Sequence, residues 1–436
     1  MKTQNTKPSD HRTITLFGAV SIGIGGMVGG GIFAVLGEAV SLSHGSTFIS
    51  FAIAGLVALF TSYSYAKLSV KFQNRGGTVT FVDQAFGDNI LSGSINLMLW
   101  LSYLITISLY ATAFASYGKT FFEHNSFFLE HILISLAIII PALINVVGSA
   151  FVSKSETFIV FIKVSLLLFV IAVGSFYVDG SKLSTQTWTS PLSMVVAGMI
   201  IFVAYEGFEL IANSAEEIQN PQKNLPRAFY ISVGLVVFLY IAISVITVGN
   251  VDEQTLKTAK DYALAVAVEP SLGKVGFSIV AFAALLSTFS AINATIYGNA
   301  RLGYIIARDG RLPKPLMSSK RGVPFNGVLY TTVLSLILAN SIDLTEIAII
   351  GSAGFLLIFF VVNLSAYKLK DEIQASKIIT ILSSIFTFLA LFTLMYHTYS
   401  SNPQAVIIFL GFIIVSIVFE LIYGKYIREK DVEIEL

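Results

Sequence analysis

The chain has 436 residues, 55% of them hydrophobic and 12% charged, with a formal net charge of +1 and a mean hydropathy of +0.79. A soluble domain carries about 25% charged residues, so this composition excludes a soluble protein and predicts an all-α integral membrane protein. Near-neutral charge argues against nucleic-acid partners, and the absence of cysteine excludes disulfides and thiolate chemistry.

The polar start through Arg12 runs straight into a long apolar segment, so no cleavable signal is expected. Apolar stretches then cover 13–43, 46–70, 89–118, 128–148, 156–177, 190–213, 228–249, 274–300, 325–341, 345–367, 376–397 and 403–424. Twelve spans of about 20 residues need about 240 residues, which leaves short loops and predicts one membrane domain over 1–436. The ninth and tenth stretches nearly touch, at Asn340 to Asp343. Alternate loops and both tails hold most Lys and Arg: Lys2, Lys7, Arg12, Lys67, Lys71, Arg75, Lys154, a cluster from Arg301 to Arg321, and Lys425, Arg428, Lys430. The opposite loops hold only Lys119, Lys182, Lys257, Lys260 and Lys274, so both termini are expected on the cytoplasmic side. His11, His44, His124, His131 and His397 have no i, i+4 pairing, and no metal site is expected. Between 251 and 273 lies the longest loop of the outer side, and Tyr262 to Val268 within it suits a short helix.

In the first stretch, Gly25, Gly26, Gly29, Gly30 and Gly31 fall within seven residues. Glycine costs roughly 1 kcal/mol relative to alanine in a helix interior, so this density invites unwinding. Backbone unwinds at membrane depth only where protein buries it or it lines a polar cavity. A broken span presents free N–H groups at one new end and free carbonyls at the other, a receptor for the carboxylate and ammonium of a zwitterion. The competing reading is close helix packing, because Gly25/Gly29 and Gly26/Gly30 are both G-x-x-x-G pairs.

The sixth stretch contains Tyr205-Glu206-Gly207-Phe208-Glu209, two carboxylates flanking a glycine in an apolar segment. Interruptions in spans one and six lie an odd five spans apart, so the two halves have opposite topology, as in inverted-repeat transporters that bind substrate between the breaks. This predicts a first repeat over 13–177, an inverted second repeat over 190–367 and two additional helices over 376–424. A dinucleotide fingerprint is excluded by the lack of a βαβ unit, and an ATP-driven pump is disfavoured by the lack of G-x-x-x-x-G-K-[ST].

Several segments resemble the amino acid–polyamine–organocation transporters. Gly29-Gly30-Gly31-Ile32-Phe33 is similar to the family's G-[SAT]-G-I-F, and Gly76-Gly77-Thr78-Val79-Thr80-Phe81 with Ala85-Phe86-Gly87 resembles its loop after span two. The Tyr205–Glu209 segment, Glu216-Glu217, Asn220-Pro221 and Leu225-Pro226-Arg227-Ala228 look like the span-six signature and the loop after it. Asn293-Ala294-Thr295-Ile296-Tyr297-Gly298 and Ala307-Arg308-Asp309-Gly310-Arg311-Leu312-Pro313 resemble span eight and its exit. Within the family the chain looks like the ApcT-like proton-coupled type, which also carries a lysine in span five.

The resemblance implies a LeuT-like five-plus-five inverted repeat with broken helices 1 and 6, plus helices 11 and 12, giving twelve transmembrane helices. It implies that backbone N–H groups of Gly30 and Gly31, beside Gly29, hold the substrate carboxylate. Carbonyls of Met27, Val203 and Glu206 would receive the α-ammonium. Phe33, Phe202, Tyr205 and Phe208 are candidate cavity walls or gates, although most of the 35 phenylalanines are expected to face lipid or pack. The family often has Ser where Gly30 stands, so a hydroxyl contact to the carboxylate is missing here.

Three charges lie inside spans. Lys163 sits some seven residues into the fifth stretch, roughly 10 Å deep, where a charge costs about 2.5–3.5 kcal/mol; the bland alternative is a snorkelling lysine. In sodium-coupled relatives of the fold a sodium ion bridges spans one and eight near this place. The resemblance implies that the Lys163 ammonium substitutes for it, near the Gly25 carbonyl and the Ser287 or Ser290 hydroxyl, which makes protons the expected coupling ion. Glu206 departs from the apolar residue of many relatives. It faces the cavity and favours cationic side chains, or is a proton site, or is a locally paired carboxylate. Glu209 matches an acid linked to pH-dependent gating in some members.

The expected function is secondary active amino-acid transport in the cell (inner) membrane, by proton-coupled symport and alternating access, favouring cationic or polar amino acids. An amino-acid/polyamine exchanger is the alternative, followed by a channel or receptor. No cofactor is expected, and no nucleophilic Cys or paired-His motif supports an enzyme.

Overall fold

The computed structural model describes residues 12–123, 126–147, 150–319 and 323–424, with side chains of the seventh helix from Phe158 onward. Lys2, Lys7, His11, His124, Lys320, Arg321, Lys425, Arg428, Lys430 and the side chain of Lys154 lie outside the described residues, and both termini with them.

The described chain is helical, without strands and with isolated bridges at Ile14–Ile218 and His44–Trp188. In order the helices are α1 (Leu16–Met27), α2 (Gly31–Ser43), α3 (Thr47–Lys71), α4 (Thr78–Phe86), α5 (Ile90–Lys119) and α6 (Phe127–Val147). Then come α7 (Ala150–Gly174), α8 (Pro191–Ile200), α9 (Leu210–Asn213), α10 (Pro221–Asn250), α11 (Glu253–Thr258) and α12 (Ala263–Ala267). The last five are α13 (Glu269–Arg308), α14 (Phe325–Ser341), α15 (Leu344–Lys368), α16 (Lys377–Ser401) and α17 (Pro403–Tyr423).

Among the described residues ten helices, counting α8 to α9 as one, are long and apolar enough to cross a membrane. The pair α1 and α2 passes the same test across a 47° bend, and α14 is a shorter apolar helix. In chain order these elements coincide with the apolar stretches of the sequence. Local chemistry sets several starts: the Thr15, Asn89, Ser190, Asp343 and Asn402 side chains each accept a backbone N–H of the first turn. Pro191 and Pro403 follow two of those caps, at positions where no donor is lost. The doubtful ninth boundary is resolved by Asp343, which caps α15 two residues after α14 ends.

α5 is the central pillar. It packs against α6, α13, α14, α15 and α17, and 89% of its most apolar window is buried against 28% for α17. The peripheral helices keep large apolar side chains such as Phe392, Ile407 and Ile414 exposed, as lipid-facing surfaces require.

One end of the bundle carries the Lys- and Arg-rich loops and is here the basic end; the other is the far end. At the far end, α11, a 3₁₀ turn over Lys260–Tyr262 and α12 form a cover against α2. The expected helix in this loop runs over Ala263–Ala267. Lys260 pairs with Glu38 of α2, and its ammonium donates to Thr345 Oγ1 at 3.0 Å, which donates to Glu38 Oε2 at 3.2 Å. At the basic end, Ile14 pairs with the strand-like segment after α9: its N–H donates to the Glu217 carbonyl at 2.9 Å and its carbonyl accepts from Gln219 N–H at 2.8 Å. Arg75 pairs with Glu216 and Glu217, and Arg311 with Asp83 at 2.9 Å and Asp88 at 3.1 Å.

A pH response is expected of the far-end cover. Burial pushes the Asp261 carboxyl above its ordinary value, Lys260 and Lys119 pull it down, and Glu130 and Glu38 add to the rise. Opening the cover hydrates Asp261, so the closed state binds the proton more tightly. Closure is favoured as pH falls and opposed as pH rises through the raised value. The chain has no native cysteine, so Ala34→Cys, buried in α2, reports opening by its labelling rate relative to an exposed control cysteine. That relative rate is expected to rise from acid to neutral pH and to rise at all pH values with Lys260→Ala. Asp261→Asn should flatten the response, and a response that persists in Asp261→Asn contradicts the assignment.

Candidate substrate site

The first break follows from the glycine run. α1 stops at Met27, Val28 to Gly30 form a turn, and α2 restarts at Gly31. The second is longer: α8 ends at Ile200, Ile201–Tyr205 tighten to a 3₁₀ turn, Glu206 is extended, and Gly207 takes φ +112. Only glycine adopts that backbone conformation cheaply. The two breaks touch through bare backbone. A Cβ on Gly26 would stand 2.5 Å from the Gly207 carbonyl oxygen, and one on Gly207 would stand 2.7 Å from Gly26 Cα.

Side chains from neighbouring helices take up the backbone groups that the breaks release, as burial in a membrane protein demands. Ser352 on α15 bridges the second break, donating to the Ile200 carbonyl at 2.5 Å and accepting from Val203 N–H at 2.9 Å. Ser287 on α13 donates to the Val28 and Gly29 carbonyls at 3.1 and 2.6 Å. Glu209 accepts from Gly207 N–H at 2.8 Å and from the Tyr103 hydroxyl at 2.9 Å. The Tyr240 hydroxyl on α10 serves both breaks, reaching the Met27 carbonyl at 2.7 Å and the Ala204 carbonyl at 3.2 Å.

Beside the contact lies a cavity of about 40 Å³. Gly25 and Gly26 of α1, Tyr103 and Tyr110 of α5, Glu206, and Ala291 to Leu302 of α13 contribute to its wall, and Leu210 and Asn213 extend it toward the basic end. It has room for a few water molecules at about 10–15 Å³ each, less than an amino acid fills. Glu206 is the one charged side chain among the described lining residues. It is 3% exposed and its Oε2 accepts from Thr106 Oγ1 at 3.4 Å.

The residues singled out in the sequence divide by position. Gly25 and Glu206 line the cavity. Gly30 lies under the Tyr110 ring, which a Cβ there would overlap, and Gly31 lies against Ala204. Gly29 packs on Ala291. The Met27 carbonyl already accepts from Tyr240, and the Val203 carbonyl accepts from Glu206 N–H at 3.3 Å. Phe202 packs on Phe359, and Tyr205 packs on Tyr240 while donating to the Phe51 carbonyl at 2.9 Å. Phe33 packs on Tyr117, and Phe208 on Tyr65 and Phe359. Lys163 is 5% exposed on α7, a helix that packs against α1 and α13. Ser290 is half-buried on α13.

Sequence reasoning missed Tyr103, Tyr110, Tyr240 and Ser352. For the first two a signal existed: Tyr103, Thr106 and Tyr110 stand at i, i+3, i+7, a polar stripe on one face of an apolar helix.

Apolar spans, two interrupted segments in backbone contact and an acidic cavity beside them define a multi-pass membrane protein of the transporter class. The chain belongs to the amino acid permease family: the family model of that description matches residues 14–419, and the family and its relatives are transporters rather than enzymes. The chain is 35% identical to an uncharacterized protein of Methanocaldococcus jannaschii, covering 95% of this chain and 96% of that one. It is 31% identical to the inner membrane transport protein YbaT of Escherichia coli (95% and 97% covered). With the methylthioribose transporter of Bacillus subtilis it shares 27% identity over 86% of each chain.

The glycine contact predicts a contrast in stability. Gly207→Ala adds a strained φ and a backbone clash and is expected to cost about 2 kcal/mol or more. Gly234→Ala in α10, where a Cβ meets nothing within 4 Å, is expected to leave the melting temperature in detergent unchanged or raise it. Equal melting temperatures for the two variants contradict the contact.

Proposed function

We propose that the chain is a proton-coupled secondary transporter of amino acids, working by alternating access about the two breaks. In this reading 13–177 and 190–367 are inverted five-helix repeats followed by two additional helices, in a LeuT-like arrangement of twelve spans. The basic end is cytoplasmic, as the positive-inside rule asks, and the membrane is the cell (inner) membrane. The inner membrane transport protein YbaT of Escherichia coli, to which the chain is similar, supports that location.

The observation that carries the reading is Glu206, the one charged side chain among the described residues of a cavity wall at the junction of two broken spans. A buried carboxylate without a cationic neighbour on the wall attracts the ammonium groups of a substrate, which supports a preference for cationic or polar amino acids. The N-terminal end of α2 at Gly30 and Gly31 supplies N–H groups for the carboxylate. Tyr110 covers that end, so substrate entry requires its ring to swing away from Gly30. Glu209, bonded to Gly207 and Tyr103, holds the second break in shape. Lys163, buried on a helix against α1 and α13, is the proton-coupling group, and Ser287 ties the same two elements.

Uptake into proteoliposomes under an imposed inward proton gradient tests both assignments. Glu206→Gln should weaken cationic substrates relative to leucine by roughly 1–3 kcal/mol, about tenfold or more. Lys163→Ala should retain substrate binding and lose gradient-driven accumulation. Equal losses for leucine and lysine remove Glu206 from selectivity, and pH-driven accumulation by Lys163→Ala moves the proton to Glu206 or Glu209.

A further inference from the structure

At the basic end a vestibule of about 600 Å³ lies beside the cavity. The two spaces share one helix: Gly298, Asn299 and Leu302 of α13 line the cavity, while Tyr297, Arg301 and Tyr304 line the vestibule. Three vestibule arginines have different surroundings. Arg75 is held by Glu216 and Glu217, and Arg308 by its neighbour Asp309. Arg301 stands over the Tyr297 ring at 5.3 Å and donates Nη1–H to the Tyr297 hydroxyl oxygen at 3.1 Å. Among the described residues it has no carboxylate partner.

The ring and the hydroxyl brace the guanidinium and use one of its five N–H donors. The others are available in a fork that fits a carboxylate in bidentate geometry. Arg301 is six residues from Thr295 on the cavity wall, about 9 Å along the helix axis, and fourteen from Ser287 at the first break, about 21 Å. One carboxylate cannot reach both Arg301 and the α2 end, so the two positions are separate stations on one path.

We infer that Arg301, braced by Tyr297, is a second, weaker subsite that takes the carboxylate of the transported amino acid in the basic-end vestibule. There it receives substrate leaving the cavity and captures substrate entering from that side. The inference rests on the amino-acid reading above. A guanidinium here also shortens the search of a zwitterion for the cavity mouth, because it orients the carboxylate outward and the ammonium toward Glu206.

The test is sided transport in proteoliposomes of defined orientation, with half-saturation measured separately at the two faces. Arg301→Gln is expected to raise the basic-end value about three- to tenfold, the range between an exposed ion pair and a bidentate one, and to leave the far-end value unchanged. Tyr297→Phe, which keeps the ring and loses the hydroxyl, is expected to give a smaller rise at the same face. Propionate added at the basic end should compete less well against Arg301→Gln than against the wild type. An unchanged basic-end value, an equal rise at both faces, or undiminished competition by propionate overturns the subsite. A wild-type protein that moves no amino acid overturns the transport reading and the subsite together, whereas transport with unaltered sidedness in Arg301→Gln overturns the subsite alone.

Discussion

The structure depends on one contact, the meeting of two interrupted helices through the bare backbone of Gly26 and Gly207. Neither position tolerates a side chain, because each would drive a Cβ into the other's peptide group. Interrupting a helix inside the bilayer releases N–H and carbonyl groups that lipid cannot satisfy, at several kcal/mol each. The protein meets that demand with hydroxyls and one carboxylate. Ser352 bridges the second break as a peptide group would, Ser287 and Tyr240 hold carbonyls of the first, and Glu209 caps Gly207. The residual polarity of the breaks is therefore held in a fixed geometry next to the Glu206 carboxylate.

These clamps also tie the breaks to their neighbours. Tyr240 reaches a carbonyl of each break, so α10 ties α1 to the 3₁₀ turn after α8. The bridge from Ile14 to Ile218 joins the same two spans at the basic end. Ser287 ties α13 to the first break and Tyr103 ties α5 to Glu209, and both helices line the cavity.

The break in the first span was legible because glycine density has a direct backbone cost, and the second because two carboxylates flank a glycine. The direction of the aromatic side chains around the second break was not legible. The 3₁₀ turn over Ile201–Tyr205 and the extended Glu206 abandon the 3.6 period, so Phe202, Tyr205 and Phe208 turn into aromatic packing while Glu206 turns to the cavity. Tyr240 was hidden for another reason. It is one of 18 tyrosines, and its acceptor at Met27 is 213 residues away in the chain. Nothing local distinguishes it, whereas the Tyr103, Thr106 and Tyr110 stripe carries its own periodic signal.

The central claim is that the junction of the breaks receives both ends of a zwitterion. The most direct measurement is thermal stabilisation of the purified protein by three ligands matched in side chain: a free amino acid, its methyl ester and its decarboxylated amine. Binding to the folded state raises the melting temperature in proportion to RT ln(1 + [L]/Kd). The account predicts a clear rise with the amino acid and little or none with the other two at equal concentration. Equal stabilisation by the ester or the amine would contradict it, because one of the two receptors would then contribute nothing.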